Sequence, residues 1–271
     1  MIVITAPTGT IGSQVLARLL DHGEPIRVIA RDPSRLPADA RQRVEVIEGS
    51  HSRADVVQRA FEGADSVFWL VPGDPRAASA HAAYVDFARP ALEAFRRLGE
   101  GRVVSVSALG RGWPGDAGHV TATLAMDDLI AGTGVRYRAL TCPSLMENLL
   151  RQIPSIDQQG VFVWPAPGDF KAPTCATRDV ADAAVRLLLD RAWQGVGEVP
   201  LLGPEDLSCN DMAAIMAEVL GRPIRFQEIT MDAMRAAMIG RGASEGMAQA
   251  MVAMLTRSEE RRVGKECRSR W

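Results

Sequence analysis

Ile2-Val3-Ile4-Thr5-Ala6-Pro7-Thr8-Gly9-Thr10-Ile11-Gly12 is the stretch that decides how this chain is read. Four β-branched residues in a row predict a short buried strand, and Ile11, Val15, Leu16, Leu19 and Leu20 then recur at helical spacing up to His22-Gly23. A turn from such a strand into such a helix gathers free backbone N–H groups and the positive end of the helix at one spot, which suits a pyrophosphate. Gly9 lets the backbone approach the phosphates, and Gly12 lets the helix pack close to the strand. The first glycine of the usual fingerprint is replaced by Ala6, which Pro7 is expected to confine to extended geometry while removing one amide. The motif sits at the first strand-to-helix turn, the context a dinucleotide requires, and Thr8, Gly9, Thr10, Ile11 and Gly12 are its expected cradle.

The same rhythm continues outward. Residues 26–30, 44–47, 66–71, 103–107 and 137–140 each read as short buried strands, separated by helical periods. Strict alternation of strand and helix predicts a doubly wound parallel α/β sheet of Rossmann type over residues 1–150. The pattern changes after residue 150, where a smaller C-terminal α+β region is expected over residues 151–256. Strands are expected at 160–164 and 199–202, with a helix between them bearing Val180, Ala183, Ala184, Leu187 and Leu188 and opened by Thr177 as N-cap. Ser208 with Asp211 predicts a second helix start, closed by Gly221 and Pro223. Met231, Met234 and Met238, then Met247, Met251 and Met254, recur at helical spacing and read first as a core stripe, or as a pliable wall around an apolar ligand.

Composition bounds the rest. With 271 residues, 47% hydrophobic, 24% charged and a formal charge of -2, the chain is neither disordered nor collagen-like. Acidic residues (33) slightly outnumber basic ones (31), so no basic field argues for direct nucleic-acid binding. Four cysteines do not make a disulfide framework in a chain of this length, which predicts a reduced compartment. The N-terminus lacks the pattern of a signal peptide, and no apolar run approaches the roughly 20 residues that span a bilayer. A cytoplasmic protein without membrane contact is expected. Only two of the basic residues are lysines, Lys171 and Lys265. No residue is assigned to a metal.

Residues 257–271 stand apart. They carry nine charges in fifteen residues without an amphipathic period and look like a translated sequencing adapter. On that reading the chain's own sequence runs to Thr256, its formal charge becomes -5, and Lys171 is its only lysine.

The second strand ends in Ala30-Arg31-Asp32-Pro33-Ser34-Arg35. An acidic residue in this region grips ribose hydroxyls, whereas an arginine accommodates a 2′-phosphate. Arg31 at the strand end and Arg35 one turn on therefore favour NADP(H) over NAD(H), with Asp32 capping the turn at Pro33.

Five segments in order, residues 5–12, 29–33, 63–68, 146–150 and 178–181, together resemble the NmrA-like family of atypical short-chain dehydrogenase/reductase relatives, which includes triphenylmethane reductases and some quinone reductases. The resemblance implies a Rossmann domain with a smaller region closing over the substrate cleft. It implies NADP(H) contacts from Gly9, Thr10, Ile11, Arg31, Val71, Pro72, Ser107 and the loop Cys142-Pro143-Ser144. Ser50 and His51 follow the third strand where relatives often place an acidic residue near the adenine.

Standard short-chain dehydrogenases use a tyrosine and, four residues on, a lysine that lowers its pKa. The tyrosines here, Tyr84 and Tyr137, are followed at that spacing by Ala88 and Thr141, so the pair cannot exist. His119 and Thr123 take its place. Two functions remain. One is an NADPH-dependent reductase of a small conjugated or aromatic acceptor, quinone or dye-like, which delocalises the incoming charge. Here His119 is a candidate weak acid, Ser107 a donor at the nicotinamide, and Trp69, Tyr84, Met146 and Asn148 candidate substrate contacts. The other is a non-catalytic NADP(H) redox sensor acting through a protein partner, with Cys142 as the sensing thiol and Glu147 and Asn148 shaping the cleft.

Overall fold

Strands that are apolar on both faces need helices above and below them, and the chain supplies these in order. The computed structural model describes the backbone of residues 1–260 and the side chains of residues 1–256. The separate origin expected for residues 257–271 lies outside the described side chains. The first part runs β1 (Ile2–Thr5), α1 (Gly12–Leu20), β2 (Ile26–Ala30), α2 (Ala38–Arg43), β3 (Glu45–Glu48), α3 (Ala54–Phe61), β4 (Ser66–Trp69), α4 (Leu92–Arg97), β5 (Arg102–Ala108), α5 (His119–Ala131) and β6 (Arg136–Cys142). The rest runs β7 (Ser144–Leu145), α6 (Ile153–Gln159), β8 (Val161–Trp164), β9 (Thr174–Cys175), α7 (Thr177–Leu189), β10 (Val196–Pro200), α8 (Cys209–Leu220), β11 (Arg225–Glu228), α9 (Met231–Gly240) and α10 (Glu245–Glu260).

The main sheet has seven strands in the order β10-β6-β5-β4-β1-β2-β3, every neighbouring pair parallel. This is a Rossmann-type fold. The chain steps outward from β1 to β3 on one side and then returns to β4 on the other, so a crevice opens beyond the carboxyl ends of β1 and β4. Alternation along each strand builds two cores. Ile4, Val104 and Leu140 pack with Val15 and Leu19 of α1 and Val180 and Ala184 of α7. Val3, Trp69, Val103 and Tyr137 pack on the opposite face with Val57 of α3, Phe95 of α4 and Met126 of α5.

Trp69, expected at the substrate, belongs to that second core: it is fully buried, edge-on to Phe95 at 5.0 Å and to His51 at 5.0 Å between ring centroids. A central strand turns alternate residues into the layer beneath the helices, and Trp69 falls on that layer rather than in the cleft.

The chain does not divide cleanly at residue 150. α7 returns to pack on α1, and β10 adds the seventh strand beside β6, so the central sheet draws on residues well beyond that point. The small lobe is an excursion built on β8 paired with β11 and on a cluster of Ile156, Phe162, Cys209, Ala213 and Ile224. A capping box at Ser208 and Asp211 opens α8, and Gly221 in the left-handed conformation closes it. Thr177 is not the cap of α7. Ala176 holds that position, and the free amide of Thr177 donates to the carboxylate of Glu147 at 2.9 Å while its hydroxyl donates to the same group at 2.6 Å. An anionic side chain from another element thus does the work of the missing cap. α9 and α10 fold back on the main domain, where the Ser244 amide donates to the Pro75 carbonyl at 2.8 Å. Of the methionine stripe only Met247 is buried, with Ala80, Ala83 and Ala122; the others are half-buried or partly open. Among the described residues no helix is long and apolar enough to cross a membrane.

Candidate cofactor and substrate site

The turn from β1 to α1 is tighter than the sequence suggests. Ala6 is not extended: its φ is +49°, the only positive φ among described non-glycine residues. The left-handed conformation costs an L-residue roughly 1–2 kcal/mol, and the turn demands it because the Ala6 carbonyl accepts from the Gly9 amide at 3.1 Å. The same carbonyl presses on the helix. A Cβ on Gly12 would stand 2.1 Å from it, so glycine alone fits there. Ile11, at the helix start, has no side chain to cap the first amides, and the first turn of α1 carries no acidic residue. The Ser13 amide donates back to the Gly9 carbonyl at 2.9 Å, and a dinucleotide pyrophosphate fits the amides that helix geometry leaves at this end.

Arg31 is exposed at the end of β2. Asp32 caps the following turn as expected, accepting from the Ser34 amide at 3.0 Å and its hydroxyl at 2.6 Å, bonds that lower its pKa. Beyond β3, His51 is buried: its Nε2 lies 3.0 Å from the Leu70 carbonyl, and burial pushes its pKa down to about 4. A neutral imidazole therefore packs against Trp69 and Phe87, where an acidic residue would be poorly solvated.

After β4 the chain passes through Val71, which is buried, and Pro72, which is exposed. The Tyr84 ring lies against Gly73, and a Cβ there would meet the Tyr84 hydroxyl oxygen at 2.7 Å. Tyr84 stands edge-on to His119 at 6.1 Å between centroids. These two predicted site residues are thus brought together. His119 Nε2 lies 3.3 Å from the Met247 carbonyl of α10, and burial lowers its pKa, which favours the neutral ring. Thr123 spends its hydroxyl on the His119 carbonyl at 2.8 Å.

Ser107 lies elsewhere. Eight residues separate His119 from Asp127, roughly 12 Å along α5, and it is Asp127 that receives the Ser107 hydroxyl. The other carboxylate oxygen of Asp127 accepts from the Tyr137 hydroxyl. Asp127 is 1% exposed, and burial raises its pKa to about 6 against the opposing pull of those two hydrogen bonds. Burial and the neighbouring carboxylate keep the Tyr137 phenol protonated. Thr141, opposite Ser107 in the β5–β6 ladder, is 1% exposed, and its hydroxyl has no partner among the described residues.

The loop after β6 brings Cys142, Pro143 and Ser144 to the same edge of the sheet. Cys142 is buried beside Cys175 and hydrogen-bonded to it, and that bond together with burial holds the Cys142 thiol well above the usual range. Such a thiol is a poor nucleophile. The next turn, Met146–Gln152, leaves Met146, Leu150 and nearby Ile153 exposed, an apolar rim beside the half-buried Asn148. Lys171 lies in the small lobe, 3.7 Å from Asp211, far in the chain from the helix that carries a dehydrogenase lysine.

The chain matches known proteins. A family model described as NAD(P)H-binding matches residues 7–191. The chain belongs to this family. It is 31% identical over 247 residues to the (4-alkanoyl-5-oxo-2,5-dihydrofuran-3-yl)methyl phosphate reductase of Streptomyces griseus subsp. griseus, covering 89% of this chain and 81% of the relative. It is 27% identical to the NAD(P)H azoreductase of Xenophilus azovorans, covering 93% and 85%. Its fold matches the NADPH-dependent quinone oxidoreductase QOR2 of Escherichia coli complexed with NADPH, with a TM-score of 0.76, 23% identity and coverage of 93% and 87%. These neighbours are in line with the resemblance to NmrA-like proteins.

The sequence of this NAD(P)H-binding protein does not show the burial of His51. It does not single out Asp127 either, although an acid at the fourth position after Thr123 and the eighth after His119 continues their helical face. Its neighbour Met126 and Ile130 mark that stretch as buried, which was the available signal.

Proposed function

We propose that this protein is an NADPH-dependent reductase of a small conjugated acceptor. The observation that carries it is the pairing of an uncapped dinucleotide loop with an α5 that lacks the tyrosine–lysine dyad. His119 and Thr123 occupy the dyad's place and are held by backbone carbonyls. An acceptor that spreads incoming charge over a conjugated system does not need the dyad. The dihydrofuranone named for the Streptomyces griseus relative has this character, with a ring double bond conjugated to two carbonyls on one of its carbons.

When bound, the dihydronicotinamide supplies the hydride. The amides of Thr8, Thr10, Ile11 and Gly12, beside Gly9, would hold the pyrophosphate and Arg31 the 2′-phosphate. The Arg31 guanidinium is exposed, while one oxygen of Asp32 is engaged by the Ser34 amide and hydroxyl. Val71, Pro72, Cys142, Pro143 and Ser144 would flank the nicotinamide half, with Ser107 supplying a hydroxyl at the sheet edge. Tyr84, Met146 and Asn148 would border the acceptor, the apolar rim at Leu150 and Ile153 suiting an aromatic or alkyl-bearing molecule.

Fluorescence titration with NADPH and NADH, followed by NADPH consumption with quinones, azo dyes and cyclic enones, tests this. Arg31→Ala is expected to weaken NADPH roughly tenfold, the loss of one charge-assisted phosphate contact of about 1.4 kcal/mol, and to leave NADH nearly unchanged. Absence of binding at millimolar cofactor refutes the reading, and tight binding without turnover of any acceptor points to a nucleotide-sensing role.

A further inference from the structure

Reduction of a conjugated acceptor by hydride leaves an anion that must gain a proton, and the residues at the dyad's place are occupied elsewhere. The groups that remain at the sheet edge are Ser107 and, behind it, the carboxyl of Asp127. Asp127 is not sealed in the core. It lines a groove of about 230 Å³ between α5 and β10, together with Arg111, Asp128, Tyr137, Ala139 and Glu198. Arg111 spans the groove, its guanidinium paired with Asp128 at 2.8 Å and with Glu198. Asp127 therefore borders the groove on one side and meets the Ser107 hydroxyl on the other.

We propose that Asp127 is a positioning residue that relays a proton from the α5–β10 groove to the Ser107 hydroxyl, and through it to the reduced acceptor. The proposal rests on the reductase reading. As the hydride reaches the acceptor carbon, negative charge collects on a conjugated oxygen or nitrogen. The Ser107 hydroxyl turns from Asp127 toward that atom, its O–H bond breaks and its proton bonds there, while the Asp127 O–H bond breaks and reprotonates the Ser107 oxygen. Asp127, left as carboxylate, regains its proton from groove water. Both electrons come from the nicotinamide and none from the protein.

The surroundings favour this division of roles. Tyr137 from β6 keeps its own proton and holds one Asp127 oxygen in place, leaving the other to Ser107. The charges that act on Asp127 are Arg111, from the connection before α5, which lowers its pKa, and Asp128 on α5, which raises it; Glu198 of β10 lies across Arg111. Ser105 of β5 touches Tyr137 rather than the relay. Burial dominates, so the carboxyl holds a proton in weakly acidic solution. The Thr141 hydroxyl beside Ser107 is a further polar group at this edge, without a hydrogen-bond partner among the described residues.

The test is stopped-flow NADPH oxidation by the full chain between pH 5 and 9, with the naphthoquinone, azo dye or cyclic enone that the wild type reduces fastest. Wild-type kcat is expected to fall as pH rises past about 6. Asp127→Asn and Ser107→Ala should each be about 10- to 100-fold slower at pH 6, with flat profiles, and Asp127→Asn should keep NADPH affinity within about twofold of wild type. The double variant should lose no more than either single one, because the two residues act in series. Tyr137→Phe removes a hydrogen bond that lowers the Asp127 pKa, so its profile should move to higher pH; this variant decides the matter if Asp127→Asn fails to fold. A wild-type profile retained in Asp127→Asn, multiplying losses in the double variant, or an unmoved profile in Tyr137→Phe overturns the relay while leaving the reductase intact. No turnover by the wild type overturns the reductase reading, and the relay with it.

Discussion

Gly12→Ala is the perturbation that most directly questions the cofactor loop. The added methyl would sit 2.1 Å from the Ala6 carbonyl oxygen, 2.9 Å from its carbon and 3.3 Å from the Pro7 Cα, whereas ordinary contact begins near 3.4 Å. All three atoms are backbone, so the contact must open by about 1.3 Å through movement of α1 or of the turn. Neither yields readily. Val15 and Leu19 of α1 are fully buried against the sheet, and Ala6 is already left-handed. Overpacking of this kind costs about 1–3 kcal/mol. The amides of the turn shift by a comparable distance from the pyrophosphate, and a loss of about 1.4–2.8 kcal/mol there weakens NADPH on the order of 10- to 100-fold. Urea unfolding and fluorescence titration measure the two effects separately. Gly63→Ala is the control: its φ is +67° but no atom lies within 4 Å of the added methyl, so it should cost about 1 kcal/mol of stability and nothing in affinity. A Gly12→Ala protein with wild-type stability and wild-type NADPH affinity would refute both the packing argument and the placement of the cofactor.

Ala6→Gly should be neutral to about 1 kcal/mol stabilising in urea unfolding, since relief of the left-handed alanine exceeds or matches the added freedom of the unfolded chain; a clear loss would mean that the turn does not strain Ala6. Asp127 carries a pH signature. Its folded pKa is raised from 3.8 to about 6, so its proton favours the folded state below about pH 4 and that contribution is lost as pH rises through 6, by up to about 3 kcal/mol. Urea midpoints at pH 4.5 and 7.5 should therefore differ by less in Asp127→Asn than in wild type. Ser208→Ala should cost about 1 kcal/mol and speed amide exchange in the first turn of α8 without touching NADPH affinity; unchanged exchange there would discount the capping box.

Local chemistry was enough for much of this protein. β-branched runs and helical spacing predicted the strands of the sheet to within a few residues, because a strand buried on both faces has no freedom in its composition. The turn residues at Thr8 to Gly12, the cap at Asp32 and the capping box at Ser208 are relations between residues at most four apart, and sequence shows those directly. The missing dyad was equally legible, since it is a question of which residues exist.

Tertiary structure decided what depends on residues far apart in the chain. Ala6 is left-handed because the Ala6 carbonyl must reach Gly9 while α1 presses on it, and that demand outweighs the local preference that Pro7 imposes. Trp69 is core because β4 lies in the middle of the sheet with α3 and α4 beneath it, a matter of strand order. β10 joins the domain it was separated from because α7 carries the chain back across α1. The Ser107–Asp127–Tyr137 cluster joins β5, α5 and β6, and only their packing in three dimensions puts three side chains within hydrogen-bond reach. Spacing along a chain records periodicity, whereas the desolvation and hydrogen bonding that set the chemistry of Asp127 arise from neighbours that the fold alone brings together.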